Sequence, residues 1–259
     1  MLRTLCFAAG FAMLVAGAPL LAQDDRIGLA LERLVAAYPD ALAGHDANSL
    51  HWRDGTVMPV SDGDDGKTFA QALRHASIAD QLRISYPRGP LPKPPAVDAD
   101  PGRLRNTTFF TKMYGDCQRG EVAPHLVSIA WLPKSWGQSI RITSVNGVDA
   151  QLHAVSAEID TLPQAIKRAA YPIAGTYNCR AVADTGAPSP HSYGIAIDLN
   201  TASSDYWYWQ PHADPLLYRN RMPEAIVATF EKHGFIWGGK WYHYDTMHFE
   251  FRPELLGTQ

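Results

Sequence analysis

Cysteine is scarce, with three in 259 residues: Cys6, Cys117 and Cys179. That excludes a cysteine-based zinc finger, an iron–sulfur cluster and a dense disulfide scaffold. An excess of one charge is equally lacking. Lys and Arg number 23 against 26 Asp and Glu, a formal net charge of −3, and no block of Lys or Arg stands out. A nucleic-acid partner is therefore not expected, because such a surface must neutralise phosphates. After residue 22 no stretch is long and apolar enough to span a membrane. Internal repeats and low-complexity tracts are absent too. What remains, 46% hydrophobic and 19% charged residues, is an ordinary globular composition, and the length suits one large domain or two small ones.

The one long apolar run stands at the start. Arg3 is the only charged side chain in residues 1–22, and the run from Leu5 closes on Leu20-Leu21-Ala22 before Gln23-Asp24-Asp25. A basic start, an apolar middle and a small residue at the end describe a secretory signal peptide. The alternative is an uncleaved anchor, for which the run is near the lower limit of length. Export to the periplasm or the medium is the expectation, with no stable membrane insertion once the leader is removed. Loss of residues 1–22 leaves 237 residues and a formal charge of −4, because Arg3 goes with the leader. Cys117 and Cys179 then remain in an oxidising compartment, where one disulfide is the simplest outcome and two buried thiols the alternative.

Along the chain, Ile27, Leu31, Leu34, Val35 and Tyr38 recur at helical spacing before Pro39, which predicts a helix over 25–38. Residues 44–66 read as irregular, and Phe69 to Leu82 as a second helix. Six prolines between Pro87 and Pro101 make 86–101 an extended connector, either wrapped around the domain or separating an N-terminal part. Strands are predicted over 125–132, 139–145, 194–199 and 247–251, and helices around Leu152 to Leu162 and over 223–233. Strands and helices interleave without a regular βαβ beat, so the expected fold class is α+β with a largely antiparallel sheet and flanking helices. The organisation expected is a leader (1–22), an N-terminal extension with the Pro-rich connector (23–102) and a main domain (103–259).

Two stretches carry the chemistry. The first runs Ser189-Pro190-His191-Ser192-Tyr193-Gly194-Ile195-Ala196-Ile197-Asp198. The second runs from Trp237-Gly238-Gly239 through His243 and Asp245 to His248-Phe249-Glu250. On a strand Ala196 and Asp198 share one face, and His248 and Glu250 share another, with Phe249 and Phe251 opposite. Two histidines and a carboxylate form a common ligand set for catalytic Zn²⁺, and a second carboxylate is needed to take a water proton and pass it to a leaving amine. His191, Asp198 and His248 supply such ligands and Asp245 such a base. Taken singly, each of these histidines also reads as an ordinary hydrogen-bonded structural residue.

Ser189-x-His191-x-x-Gly194-x-Ala196-x-Asp198 followed by Asp245-x-x-His248 resembles the paired signature of the D-alanyl-D-alanine carboxypeptidase and L-alanyl-D-glutamate endopeptidase family. These are zinc peptidases of bacterial cell-wall peptides with the hedgehog/DD-peptidase fold. The resemblance spans roughly 109–255 and includes Tyr177-Asn178-Cys179-Arg180 and the Trp237-Gly238-Gly239 turn. Asp245 stands where some members have Glu, which leaves the role intact. The resemblance implies a peptidoglycan peptide as substrate, Zn²⁺ as cofactor, His191, Asp198 and His248 as its ligands, Asp245 as general base, and Arg180 as the residue that holds a substrate carboxylate or an oxyanion. Ser189 and Glu250 are candidates for orienting the ligand imidazoles or closing the loop. Tyr206, Trp207 and Trp237 are candidates for walling a substrate groove, and His243 for touching substrate or tuning Asp245. Two other readings stay open. One is a non-catalytic module on the same fold that binds cell-wall peptide or a protein. The other is a hydrolase using Ser189 or Ser192, although no Gly-x-Ser-x-Gly elbow is present.

Overall fold

The computed structural model describes residues 21–183, 185–210 and 215–257. The expected leader lies outside these residues except for its last two, and Cys6 and His212 lie outside them as well. Among the described residues no helix is long and apolar enough to cross a membrane.

The described residues open on helix α1 (Leu21–Ala37), which buries Leu31 and Leu34, with Tyr38 just beyond its end. Three short strands follow, β1 (Leu42–His45), β2 (Ser49–Trp52) and β3 (Val57–Pro59), paired in that order. The irregular stretch expected over 44–66 is corrected here. Leu50, Trp52 and Met58 are buried at alternate positions, but strands this short, set among Gly44, Asp46 and Asn48, give too few repeats for the period to register. The single helix expected over Phe69–Leu82 is two, α2 (Phe69–Arg74) and α3 (Ile78–Leu82). Each opens on its own capping box, Thr68 with Gln71 and Ser77 with Asp80.

Helix α4 (Thr107–Tyr114) leads to the hairpin of β4 (Leu126–Trp131) and β5 (Gln138–Thr143). Helices α5 (Val148–Ile159) and α6 (Gln164–Lys167) come next. Strand β6 (Ala196–Asp198), helix α7 (Glu224–Lys232), strands β7 (Phe235–Trp237) and β8 (His248–Phe251) and helix α8 (Pro253–Leu256) follow. Among the described residues every strand pair is antiparallel, in keeping with an α+β domain, but the strands form three small sheets rather than one: β1-β2-β3, β4-β5 and β6-β8-β7.

One apolar cluster joins Leu34 and Tyr38, Trp52 of β2, Phe109 and Phe110 of α4, Leu152 of α5, Phe230 of α7 and Phe249 of β8. Side chains from the N-terminal extension and from the segment after it therefore share a core. The Pro-rich connector follows the surface and is tied down repeatedly. Tyr86 donates its hydroxyl to Glu231 at 2.6 Å, the Trp241 indole N–H reaches the Pro101 carbonyl at 2.6 Å, and Lys240 Nζ reaches the Pro87 carbonyl at 2.7 Å. Cys117 and Cys179 form a disulfide that fastens the end of α4 to the segment entering the site.

Candidate metal centre

The β6–β8 register explains the constellation. Asp198 pairs directly with His248 and Ala196 with Glu250, so two residues 50 apart in sequence become cross-strand neighbours on one face. On the other face, Phe249 stacks on Phe230 with ring centroids 3.9 Å apart and locks β8 in that register. His191 comes from a 3₁₀ turn, Pro190–Tyr193, which leads into β6. Ser189 caps this turn by accepting from the His191 backbone N–H, and Gly194 ends it in the left-handed region at φ 68°. A Cβ on Gly194 would come 2.8 Å from Leu126 Cδ2 and 3.2 Å from the Thr143 nitrogen, so the turn needs glycine both for its backbone and for its packing.

Asp198 is the hub of the cluster. Its Oδ1 lies 2.9 Å from His248 Nδ1 and its Oδ2 lies 3.2 Å from His191 Nε2, and those two nitrogens are 3.3 Å apart. Ligand atoms of all three residues lie within 4.8 Å of one another. The far side of each imidazole is occupied. His191 Nδ1 sits 2.5 Å from the Thr176 carbonyl, and His248 Nε2 sits 3.1 Å from Glu250 Oε2. With N–H groups at those outer positions, the inner nitrogens His191 Nε2 and His248 Nδ1 converge on Asp198, where each would offer its lone pair once a cation replaces the proton. Glu250 is fully buried and is neutralised by Arg252 Nη1 at 3.0 Å and Arg105 Nη1 at 3.5 Å.

Burial works against charge throughout the cluster, and the charges prevail over it. The two histidines hold the Asp198 carboxyl far below the usual carboxylate range. Hydrogen bonds to Asp198 and Glu250 lift His248 to about 10. Arg105, His248 and Arg252 hold Glu250 at about 2. The arrangement is a focus of negative charge around two convergent imidazole nitrogens, and a divalent cation fits that donor set.

Asp245 lies on the turn into β8. Its backbone N–H donates to the Gly238 carbonyl at 3.0 Å, and a Cβ on Gly238 would lie 2.6 Å from the Asp245 carbonyl oxygen, so this close approach also needs glycine. The turn brings Asp245 into the field of Asp198, His248 and His191. Burial, and then the charge of Asp198, push its carboxyl up to about 6. Its Oδ1 is buried with no hydrogen-bond partner. An orphaned carboxylate oxygen beside a His/Asp/His cluster is suited to a partner such as water.

The remaining sequence candidates divide. Tyr206 bridges antiparallel to Asp245, and the Trp207 N–H donates to the Tyr244 carbonyl at 2.9 Å, so the aromatic run borders the segment that carries Asp245. Trp237, expected on the groove wall, is only 1% exposed. Its indole lies against Gly239 and donates to the Thr246 carbonyl, so it braces the turn from beneath. His243 is taken up by Asp100, with Nδ1 2.7 Å from Oδ2, and stacks on Phe69. That partner lies in the connector, 143 residues away, and nothing in the local sequence signals it. Arg180 is exposed, and its backbone is joined to Ser189 and Ser192 beside the His191 turn. Among the described residues its guanidinium has no ion-pair partner. Ser192 Oγ donates to the Arg180 carbonyl at 2.6 Å and accepts from the Arg180 N–H, so it is engaged with backbone rather than with a histidine.

Sequence reasoning missed the Thr176 carbonyl, which leaves no trace in side-chain identity, and also Arg105, Arg252 and Glu254. Arg252 had a signal, because it continues the polar alternation of His248 and Glu250 just past the end of β8.

Searches of curated proteins and of solved structures returned no match. A family model does match: residues 183–251, the segment that holds His191, Asp198, Asp245 and His248, match the D-alanyl-D-alanine carboxypeptidase family of peptidases.

Proposed function

We propose that this chain is an exported zinc peptidase with a hedgehog/DD-peptidase-like fold, acting outside the cytoplasm on peptidoglycan stem peptides. It would do so as a D,D-carboxypeptidase or as an L-alanyl-D-glutamate-type endopeptidase. The observation that carries the reading is the convergence of His191 Nε2, His248 Nδ1 and Asp198 beside the unpartnered Oδ1 of Asp245. The family match over 183–251 supports the same reading.

In this reading His191, Asp198 and His248 hold Zn²⁺, which when bound supplies a Lewis acid for the scissile carbonyl and lowers the pKa of water. Asp245 takes the proton of the attacking water and returns it to the departing amine. A carboxyl raised to about 6 suits both halves of that task, since it is ionised at neutral pH and is a stronger base than an ordinary aspartate. Arg180, exposed beside the His191 turn, offers its guanidinium to a substrate carboxylate or the developing oxyanion. Tyr206 and Trp207 border the segment of Asp245 and are assigned to the groove wall. Ser189 and Glu250 fix the His191 turn and the His248 ring. His243 and Trp237 support the turn instead of touching substrate.

Two variants test these roles. His191→Ala should lose both metal and hydrolysis. Asp245→Ala should keep stoichiometric zinc and lose hydrolysis of muropeptides. Full activity in Asp245→Ala would remove the base assignment. Stoichiometric zinc in the wild type with no cleavage of any peptide would favour a binding module.

A further inference from the structure

The polar chain behind His248 does not stop at Glu250. Arg252 Nη1 donates to Glu250 Oε1 at 3.0 Å, Arg252 Nε donates to Glu254 Oε1 at 2.6 Å, and the Tyr38 hydroxyl donates to Glu254 Oε2 at 2.8 Å. Each carboxylate gives one oxygen to the neighbour on either side. Glu250, Arg252 and Tyr38 are 0% exposed and Glu254 is 2% exposed, so the chain runs through the interior. Arg252 also donates to the Gly102 carbonyl at 2.9 Å and lies over the Phe110 ring, 4.9 Å from its centroid. Gly102, at φ 92°, has no room for a Cβ, which would fall 2.4 Å from Ile236 Cδ1 and 3.3 Å from Glu250 Oε1.

A buried row of ions is a poor way to gain stability, because desolvating the charges offsets much of their attraction and apolar residues of the same volume do as well. What apolar residues cannot do is hold a histidine in one tautomer. Glu250 accepts from His248 Nε2–H and so keeps Nδ1 aimed at Asp198 and the shared centre, the nitrogen a cation would take. The Glu250 carboxylate is set by Arg105 and Arg252, the plane of Arg252 by Glu254, and Glu254 by Tyr38. The chain therefore ends on a residue outside the family-matched segment, just past α1 in the N-terminal extension.

We infer that Tyr38 and Glu254 are positioning residues of the metal centre, and that the N-terminal extension completes the outer support of His248. The inference rests on the proposed metal reading of that cluster. It concerns how firmly the His248 ring is aimed, and Tyr38 touches neither metal nor substrate.

The test uses the full chain with Tyr38→Phe, which removes one hydroxyl and keeps the ring, and Glu254→Gln as a second variant. Zinc affinity is measured by chelator competition, and the Co²⁺-substituted protein is examined by visible absorption. Tyr38→Phe should weaken zinc binding by roughly 3- to 10-fold and Glu254→Gln by roughly 10-fold or more, with altered Co²⁺ bands, since outer partners of ligand histidines typically change affinity by about 10- to 100-fold. Leu50→Ala, in the same core but off the relay, should lower the unfolding temperature and leave zinc affinity and Co²⁺ bands unchanged. Wild-type affinity and spectrum in both relay variants would overturn the inference and leave the metal reading standing. Failure of the wild type to bind zinc at this cluster would overturn both.

Discussion

Asp245 is the residue at which function should oppose stability, and the size of the conflict can be worked out. Its carboxyl rises from an ordinary value of 3.8 to about 6 because it is buried and faces Asp198. Below pH 3.8 the carboxyl is protonated in folded and unfolded chains alike, and it contributes nothing to the pH dependence. Between 3.8 and about 6 the unfolded chain ionises while the folded one resists, so stability falls as pH rises. Above about 6 the full penalty is present. Roughly two pKa units at 1.36 kcal/mol each give about 3 kcal/mol, an upper figure because the residue is partly accessible. Asp245→Asn cannot ionise and keeps the shape. In metal-free protein it should be more stable than wild type by about 2–3 kcal/mol at pH 8, and that gain should shrink to near zero at pH 4. Urea unfolding of both proteins at the two pH values measures this directly. The same variant loaded with zinc should be almost inactive, the trade expected of a strained catalytic group. An Asn variant no more stable than wild type at pH 8, or equally stabilised at pH 4 and pH 8, would refute the electrostatic account of Asp245.

Other outcomes follow from the same geometry. The Cys117–Cys179 bridge closes a separation of 62 residues, and its removal by Cys117→Ser/Cys179→Ser should cost about 4 kcal/mol in denaturant unfolding while zinc stoichiometry is retained. Gly194→Ala forces an L-residue to φ 68° against the Thr143 backbone, and should destabilise the chain by about 1–2 kcal/mol and weaken zinc binding through displacement of the His191 turn. A Gly194→Ala protein with unchanged stability would show that the turn relaxes freely.

Much of the centre was legible because β-strand alternation is a local rule. Asp198 beside Ala196, and His248 beside Glu250, can be placed on their faces from sequence alone, and so can Phe249 and Phe251 on the opposite side. The register that sets Asp198 against His248 was not legible. It depends on the packing of Phe249 against Phe230, 19 positions earlier in the chain. The neighbours of His243 and Arg252 were hidden for a related reason. Asp100 lies 143 residues from His243, and Tyr38, which bonds the Glu254 partner of Arg252, lies 216 residues from Glu254; a long-range partner leaves no periodic mark. Trp237 misled in a different way. An aromatic beside a Gly-Gly turn reads equally well as a groove wall or as a brace, and the absence of a side chain on Gly239 draws the indole inward. In the N-terminal extension, β1, β2 and β3 are too short for their alternation to exceed the noise of the surrounding Gly and Asp.

If the His191, Asp198, His248 and Asp245 cluster is a zinc peptidase centre acting on cell-wall peptides, mass spectrometry of muropeptide digests, run alongside metal analysis with and without a chelator, should find about one zinc per chain, cleavage at a defined peptide bond of the stem, loss of cleavage with the chelator and recovery on return of Zn²⁺. Cleavage that persists in the chelator, or a zinc-loaded protein that leaves every stem peptide intact, would contradict that reading.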